Sequence, residues 1–186
     1  MLTKEDLLKM NNRQLFEVML QGYALAPEQM AGKMYLGIDL SLPPLLHKIL
    51  WRTFRKTFFR DPESGRVRGW NVRIHQTGIE PPSRPLLNKR EVPVTFGHYE
   101  LREAAGKKFP RGWRGSHYLD YTVAGNKWFD PARLGYCPLV AVNRGSMDLL
   151  LGWEVLKTGT GFLPLPDFWL LQVEGPLDYV APRPGK

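Results

Sequence analysis

MAGKMYLGIDLSL, residues 30–42, alternates: Met34, Leu36, Ile38 and Leu40 fall on one side of an extended chain, and Tyr35, Gly37 and Asp39 on the other. A period of two predicts a β-strand, because successive Cβ atoms along a strand point to opposite faces of a sheet. Directly after it the period shifts. Pro43 and Pro44 suit a first helical turn, where a missing N–H is tolerated. Leu46, Ile49, Leu50, Phe54 and Phe58 then recur every three to four residues, with Lys48, Arg52, Arg55, Lys56 and Arg60 on the opposite side. This spacing predicts a basic amphipathic helix over Pro44–Arg60, inserted after the first strand.

Further along, a turn at residues 61–65 leads into Arg66–Gln76, where Trp70, Val72 and Ile74 alternate with Asn71, Arg73 and His75. Thr77–Arg90 carries Gly78, Pro81, Pro82 and Pro85 and reads as a loop or lid. Val92–Leu101, His117–Val123, Leu139–Asn143, Met147–Leu156 and Phe168–Val173 follow, each bounded by Gly, Pro, Asn or Asp. Strand upon strand without alternating helices argues against a parallel sheet. The expected class is mainly β, an antiparallel sandwich or barrel of about seven strands.

Upstream, Thr3 with Asp6 and then Asn12 supply helix caps, Gly22 a stop, and Leu15, Phe16, Met19 and Leu20 an apolar stripe for docking on the core. Residues 1–29 are therefore expected as a helical segment, 30–175 as the barrel and 176–186 as a frayed tail, all in one domain of 186 residues. A hydrophobic share of 43%, with six Trp, seven Tyr and nine Phe, excludes a disordered chain.

The single cysteine, Cys137, cannot close an internal disulfide, and no leader-like stretch opens the chain, so a cytoplasmic setting is expected. No apolar window approaches the ~20 residues of a membrane-spanning helix. The net charge of +8 gathers in Lys48–Arg73 and Lys107–Arg114. The second run interleaves cations with Phe109 and Trp113, as base stacking requires. It lacks a recognition helix, zinc pattern or RNA-stacking strand motif, so nucleic acid is not the expected partner.

Chemistry-bearing residues are scattered. His47, His75, His98 and His117 occur singly, so no metal site or cofactor is expected. Ser116 and Ser146 lack a nucleophile elbow, and Cys137 reads as a core residue. His75, His98, Glu100 and Asp120 lie beside aromatic residues that would desolvate them, which makes them the acid–base candidates. Lys48, Trp51, Arg52, Arg55 and Phe59 on the basic helix are candidates for a lid or for contact with an anionic membrane surface, against a plain scaffold role.

A leading helix, a strand opening with Gly32, Lys33, Met34, Tyr35, Leu36 and Gly37, an inserted helix and successive antiparallel strands together resemble the lipocalin-like (calycin) barrels. The likeness is nearest to bacterial members with a Gly-x-Trp-x-Gly signature. Met34 stands where the signature has Trp, and the second glycine comes one position later. The resemblance implies a barrel cavity for an apolar ligand, and related barrels include carriers and a few isomerases or cyclases.

The expected function is binding of a hydrophobic or aromatic small molecule. Tyr35, Trp70, Phe96, Tyr99, Tyr121, Trp153 and Trp169 would form walls, and Arg73, His75 or His98 would orient a polar group. The alternatives are a cofactor-independent isomerase or cyclase of an apolar, natural-product-like substrate, and a peripheral membrane or interaction protein using the basic helix.

Overall fold

A computed structural model describes residues 1–41 and 51–184. Eight antiparallel strands close into a barrel, each paired with the next in sequence and the last with the first. They are β1 (Lys33–Asp39), β2 (Thr53–Arg60), β3 (Val67–Val72), β4 (Thr95–Glu103), β5 (His117–Asp120), β6 (Tyr136–Ala141), β7 (Leu149–Thr158) and β8 (Gly161–Pro176). Closure removes every sheet edge and its unpaired backbone groups. A closed antiparallel barrel preceded by a few helices agrees with the generic calycin architecture.

The helix expected over Pro44–Arg60 is not what the described part of that segment forms. Residues 53–60 are β2, paired with β1 from Lys33↔Phe58 to Ile38↔Thr53 and with β3 from Arg55↔Val72 to Arg60↔Val67. Phe54 and Phe58 are four residues apart, which places them on one face of a helix and equally on one face of a strand. Three Phe and two Thr among eight residues then favour the strand, where β-branched and aromatic side chains lose least freedom. The rest of that helix, residues 44–50 with Lys48, lies outside the described residues.

Both surfaces of the barrel wall are covered over much of its circumference. Three helices precede it: α1 (Lys4–Lys9), α2 (Asn12–Gln21) and α3 (Pro27–Met30). Capping boxes at Thr3/Asp6 and Asn11/Gln14 fix the starts of the first two, so the second cap is Asn11 and not Asn12. Leu7, Leu15 and Met19 bury against Leu36, Ile38, Leu151, Trp153 and Leu170 on the outer faces of β1, β7 and β8. Each such side chain contributes about 1.5–3 kcal/mol of burial. Phe109 and Trp113, from the β4–β5 connection, cover Tyr118 and Tyr136 in the same way.

The C-terminal segment, expected to fray, runs back over β3 through residue 184. Ala181 is buried with Trp70 and Val72, Arg68 donates to the Ala181 carbonyl, and Arg183 pairs with Asp61.

Candidate functional site

On β2 the inward residues are Phe54, Lys56 and Phe58. Around the inner wall they meet Tyr35, Tyr99, Tyr121 and Trp169, with ring centroids 5.2–6.3 Å apart along the Tyr35–Phe58–Tyr99–Tyr121 chain and across Phe54–Trp169. One end of the barrel is filled by Leu25, Met30, Met147 and the apolar side chains beneath them. An eight-stranded barrel is only wide enough for its own side chains or one small ligand, and this half holds side chains.

Among the described residues, the other end holds a cavity of about 190 Å³, lined by Asp39, Phe54, Lys56, Asn71, Phe96, Tyr121, Ala132, Glu154, Asp167 and Trp169. Two inward glycines let the rings lie across the mouth. A Cβ at Gly37 would stand 2.3 Å from the Phe54 ring, and one at Gly152 2.1 Å from the Trp169 ring.

Lys56 forms the floor of this mouth. Its Nζ donates to Asn71 Oδ1 at 2.8 Å and to Tyr121 Oη at 2.7 Å, and lies 4.7 Å from the ring centroids of both Tyr99 and Trp169. Asn71 is oriented for this by its own Nδ2, which donates to the Gly97 carbonyl at 3.0 Å. Gly97 has φ +49°, a left-handed bulge that favours glycine. Tyr99 is fixed from behind, its hydroxyl donating to the Thr57 carbonyl at 2.5 Å. Burial pulls the Lys56 pKa down to about 8, against the opposing pull of Cys137 and Glu154.

The carboxyl groups of the mouth shift the other way. Burial raises Glu154, although the Cys137 thiol, which donates to it across 3.3 Å, and the Lys56 charge both favour its ionised form. Burial, then the neighbouring Asp39 and Glu154 carboxyls, push Asp167 up to about 8. Cys137 is itself held well above its usual value by burial, so it is a thiol and not a thiolate. At neutral pH the mouth presents the Lys56 ammonium, the protonated Asp167 carboxyl beside those of Asp39 and Glu154, and aromatic faces. That set suits an oxygen acceptor at the head of a small apolar molecule.

Outside the mouth a larger groove of about 730 Å³ runs past Trp51, Arg73, His98, Asn126, Phe129 and Arg183, and shares Phe96 and Ala132 with the mouth. Arg73 stacks on Trp51, its guanidinium carbon 4.1 Å from the ring centroid.

Of the expected wall residues, Phe96, Tyr121 and Trp169 line the mouth, and Tyr99 stands behind Lys56. Tyr35 lies deeper, its hydroxyl without a hydrogen-bond partner among the described residues. Trp70 and Trp153 face outward, Trp70 beneath the C-terminal segment and Trp153 5.1 Å from Phe16 of α2. Arg73 belongs to the groove.

The acid–base candidates lie elsewhere than the mouth. His75 is exposed beyond β3, and Glu100 pairs with Arg66 and Arg102. Asp120 accepts from Thr122 Oγ1 at 2.6 Å and faces Arg102. His98 lines the groove beside Trp70, where burial and then Arg68 hold its pKa at about 4. Trp51 and Arg52 are exposed and precede β2, Phe59 packs on Trp70, and Arg55 is buried in an ion pair with Glu174 and not on a basic outer face.

Lys56, Asn71, Glu154 and Asp167 are the site residues that helical periodicity and motif spacing did not reveal. For Lys56 the signal in the sequence is a charged side chain at the same parity as apolar inward neighbours, Phe54-x-Lys56-x-Phe58. Among the described residues there is no group of three or more His, Cys, Asp or Glu that could hold a metal ion. No helix among them is long and apolar enough to cross a membrane. No protein-family model matches the chain, and no curated protein matches it.

Proposed function

We propose that the barrel mouth binds a small, flat, apolar molecule that carries an oxygen acceptor, with Lys56 receiving that oxygen and Trp169, Phe54 and Phe96 covering the rest. The observation behind this reading is the cavity of about 190 Å³ with a buried cation at its floor and aromatic rings for walls. The volume is below the ~300–1,000 Å³ of sites for drug-sized ligands, which points to a single-ring compound. The isomerase or cyclase alternative loses its original candidates, since His75, His98, Glu100 and Asp120 do not line the mouth.

Calorimetric titration with cinnamyl alcohol, a single ring with an oxygen on a three-carbon arm, tests the reading. Saturable one-to-one binding is expected, weakened about tenfold or more in Trp169→Ala through loss of stacking and apolar contact. Binding indifferent to Trp169→Ala, or none at all, overturns it.

A further inference from the structure

We infer that Lys56 is a covalent capture residue, whose amine condenses with the carbonyl of a small apolar aldehyde or ketone to form an imine in the barrel mouth. The inference rests on the mouth being a ligand site and adds the ligand's chemical class.

The hydrogen-bond partners of Lys56 carry it. A lysine kept as a fixed charge is ordinarily held by carboxylate oxygens, which bind the ammonium and lose their purpose when it is neutral. The partners of Nζ among the described residues are instead an amide oxygen and a phenol, Asn71 Oδ1 and Tyr121 Oη. Both serve either protonation state. The amide oxygen accepts from NH₃⁺ or NH₂, and the phenol accepts from the first and can donate to the lone pair of the second. Burial raises the Tyr121 pKa, so the phenol keeps its proton for that purpose. The amine can therefore shed its proton without losing its position, the requirement for a nucleophilic lysine in an apolar pocket.

The step balances with groups already in the mouth. A proton leaves the ammonium, and the nitrogen lone pair attacks the carbonyl carbon as the C=O π pair moves to oxygen. Proton transfer from nitrogen to that oxygen gives a carbinolamine. The C–O bond then breaks as a second proton reaches the oxygen, releasing water and leaving a protonated imine. In sum, an aldehyde and an ammonium give an iminium and water, with no oxidant or reductant. Glu154 and Asp167 line the same cavity and are the groups at hand to take and return the proton. Burial raises the pKa of both, and Asp167, at about 8, exchanges its proton near neutral pH.

The test pairs cinnamaldehyde with cinnamyl alcohol, which share a ring and an arm and differ only in the carbonyl. Wild-type protein is incubated with the aldehyde and sodium cyanoborohydride, then peptide-mapped for a mass gain equal to the aldehyde less its oxygen. With a pKa near 8, against about 10.4 for surface lysines, Lys56 should label about a hundredfold faster than they do at pH 7. Its trapping rate should climb with pH and flatten above about 8.

Binding of the alcohol together with adduct concentrated on Lys56 supports the inference. Binding of the alcohol with adduct absent, or spread evenly over surface lysines, overturns imine capture and leaves the binding reading intact. Neither binding nor adduct overturns both. The wild-type map decides without a variant, and Lys56→Arg, which cannot form the imine, should lose the fast-labelling phase while the slow labelling of surface lysines continues.

Discussion

Arg55 and Lys56 are consecutive, both buried, and on opposite sides of the same barrel wall. Arg55 faces outward into a complete set of acceptors. Its Nε and Nη groups donate to Ser83 Oγ at 3.0 Å and Ser83 O at 2.7 Å, to Glu174 Oε2 at 3.1 Å and to Asp178 Oδ2 at 3.1 Å. Ser83 also donates its backbone N–H to Glu174, so one guanidinium ties β2, the β3–β4 loop, β8 and the C-terminal segment together. Lys56 faces inward, where its hydrogen-bond partners are an amide and a phenol among aromatic rings, with the Glu154 carboxyl in the same cavity. Charge matched on every side makes a clamp. A charge held by neutral partners at the edge of a cavity is one that a ligand or a proton can still change.

The largest expected effect is on the clamp. Arg55→Ala leaves the Glu174 carboxylate, 2% exposed, without its counter-charge. Removing one partner of a buried pair costs about 3–5 kcal/mol. Urea unfolding should show it, and Arg55→Lys should restore little, since a lysine cannot reproduce the two-oxygen grip on Glu174 together with the bonds to Ser83. A loss below about 1 kcal/mol would mean that the outer network is incidental and that the contrast with Lys56 fails.

Lys56→Met should act on the pH dependence of stability. The folded-state pKa of Lys56 lies below its unfolded value, near 8 against 10.5. Below pH 8 both states hold the proton, and the folded state carries the full penalty of the buried charge. Between 8 and 10.5 the unfolded chain binds the proton that the folded one has released, so stability rises with pH. The wild type should gain about 3 kcal/mol on Lys56→Met across that window, at ~1.4 kcal/mol per unit. Paired denaturation curves at pH 7 and 10.5 measure it. A pH-independent difference would show that Lys56 titrates as an ordinary surface lysine.

The same pair of residues shows what local sequence can and cannot reveal. Alternation and turn residues made most strands legible, because each strand carries its own period. β2 was not legible from period alone. Its apolar anchors are spaced by four, a multiple of the strand period and close to the helical one. The two assignments differ most at the residue between them: a helix sends Lys56 to the side opposite Phe54 and Phe58, and a strand sends it inward with them. Misreading one period thus hid the floor of the site.

Trp70 and Trp153 were misplaced for another reason. Their outer faces are covered by segments far away in sequence, so hydrophobicity marks both faces of the strand and cannot say which is inside. Phe96, Tyr121 and Trp169 were legible as aromatics on strands, and only the register of the closed barrel brings them to one mouth. The docking of the C-terminal segment, which buries Ala181, uses Asp61 and Arg68, more than a hundred positions earlier, and nothing in the Pro-rich tail announces it.

The smallest effect expected here belongs to the wall that distinguishes the inner cation from the outer one. Gly152 has no side chain where the Trp169 ring passes, and a methyl group there would lie 2.1 Å from the ring. In Gly152→Ala the indole has to tip, since backbone paired on both sides of β7 cannot retreat. Overpacking of this kind costs about 1–3 kcal/mol. The tilt draws Trp169 off Lys56, forfeiting a cation–π contact of about 0.5–2 kcal/mol, and narrows the mouth. The expected signature is a modest stability loss, a shift in tryptophan emission and about a tenfold loss of affinity for cinnamyl alcohol, with the Arg55 clamp unaffected because it lies on the other side of the wall. Unchanged affinity beside the full stability loss would break the link between Trp169 and the ligand, and would leave Lys56 a cation caged only by the barrel's own rings.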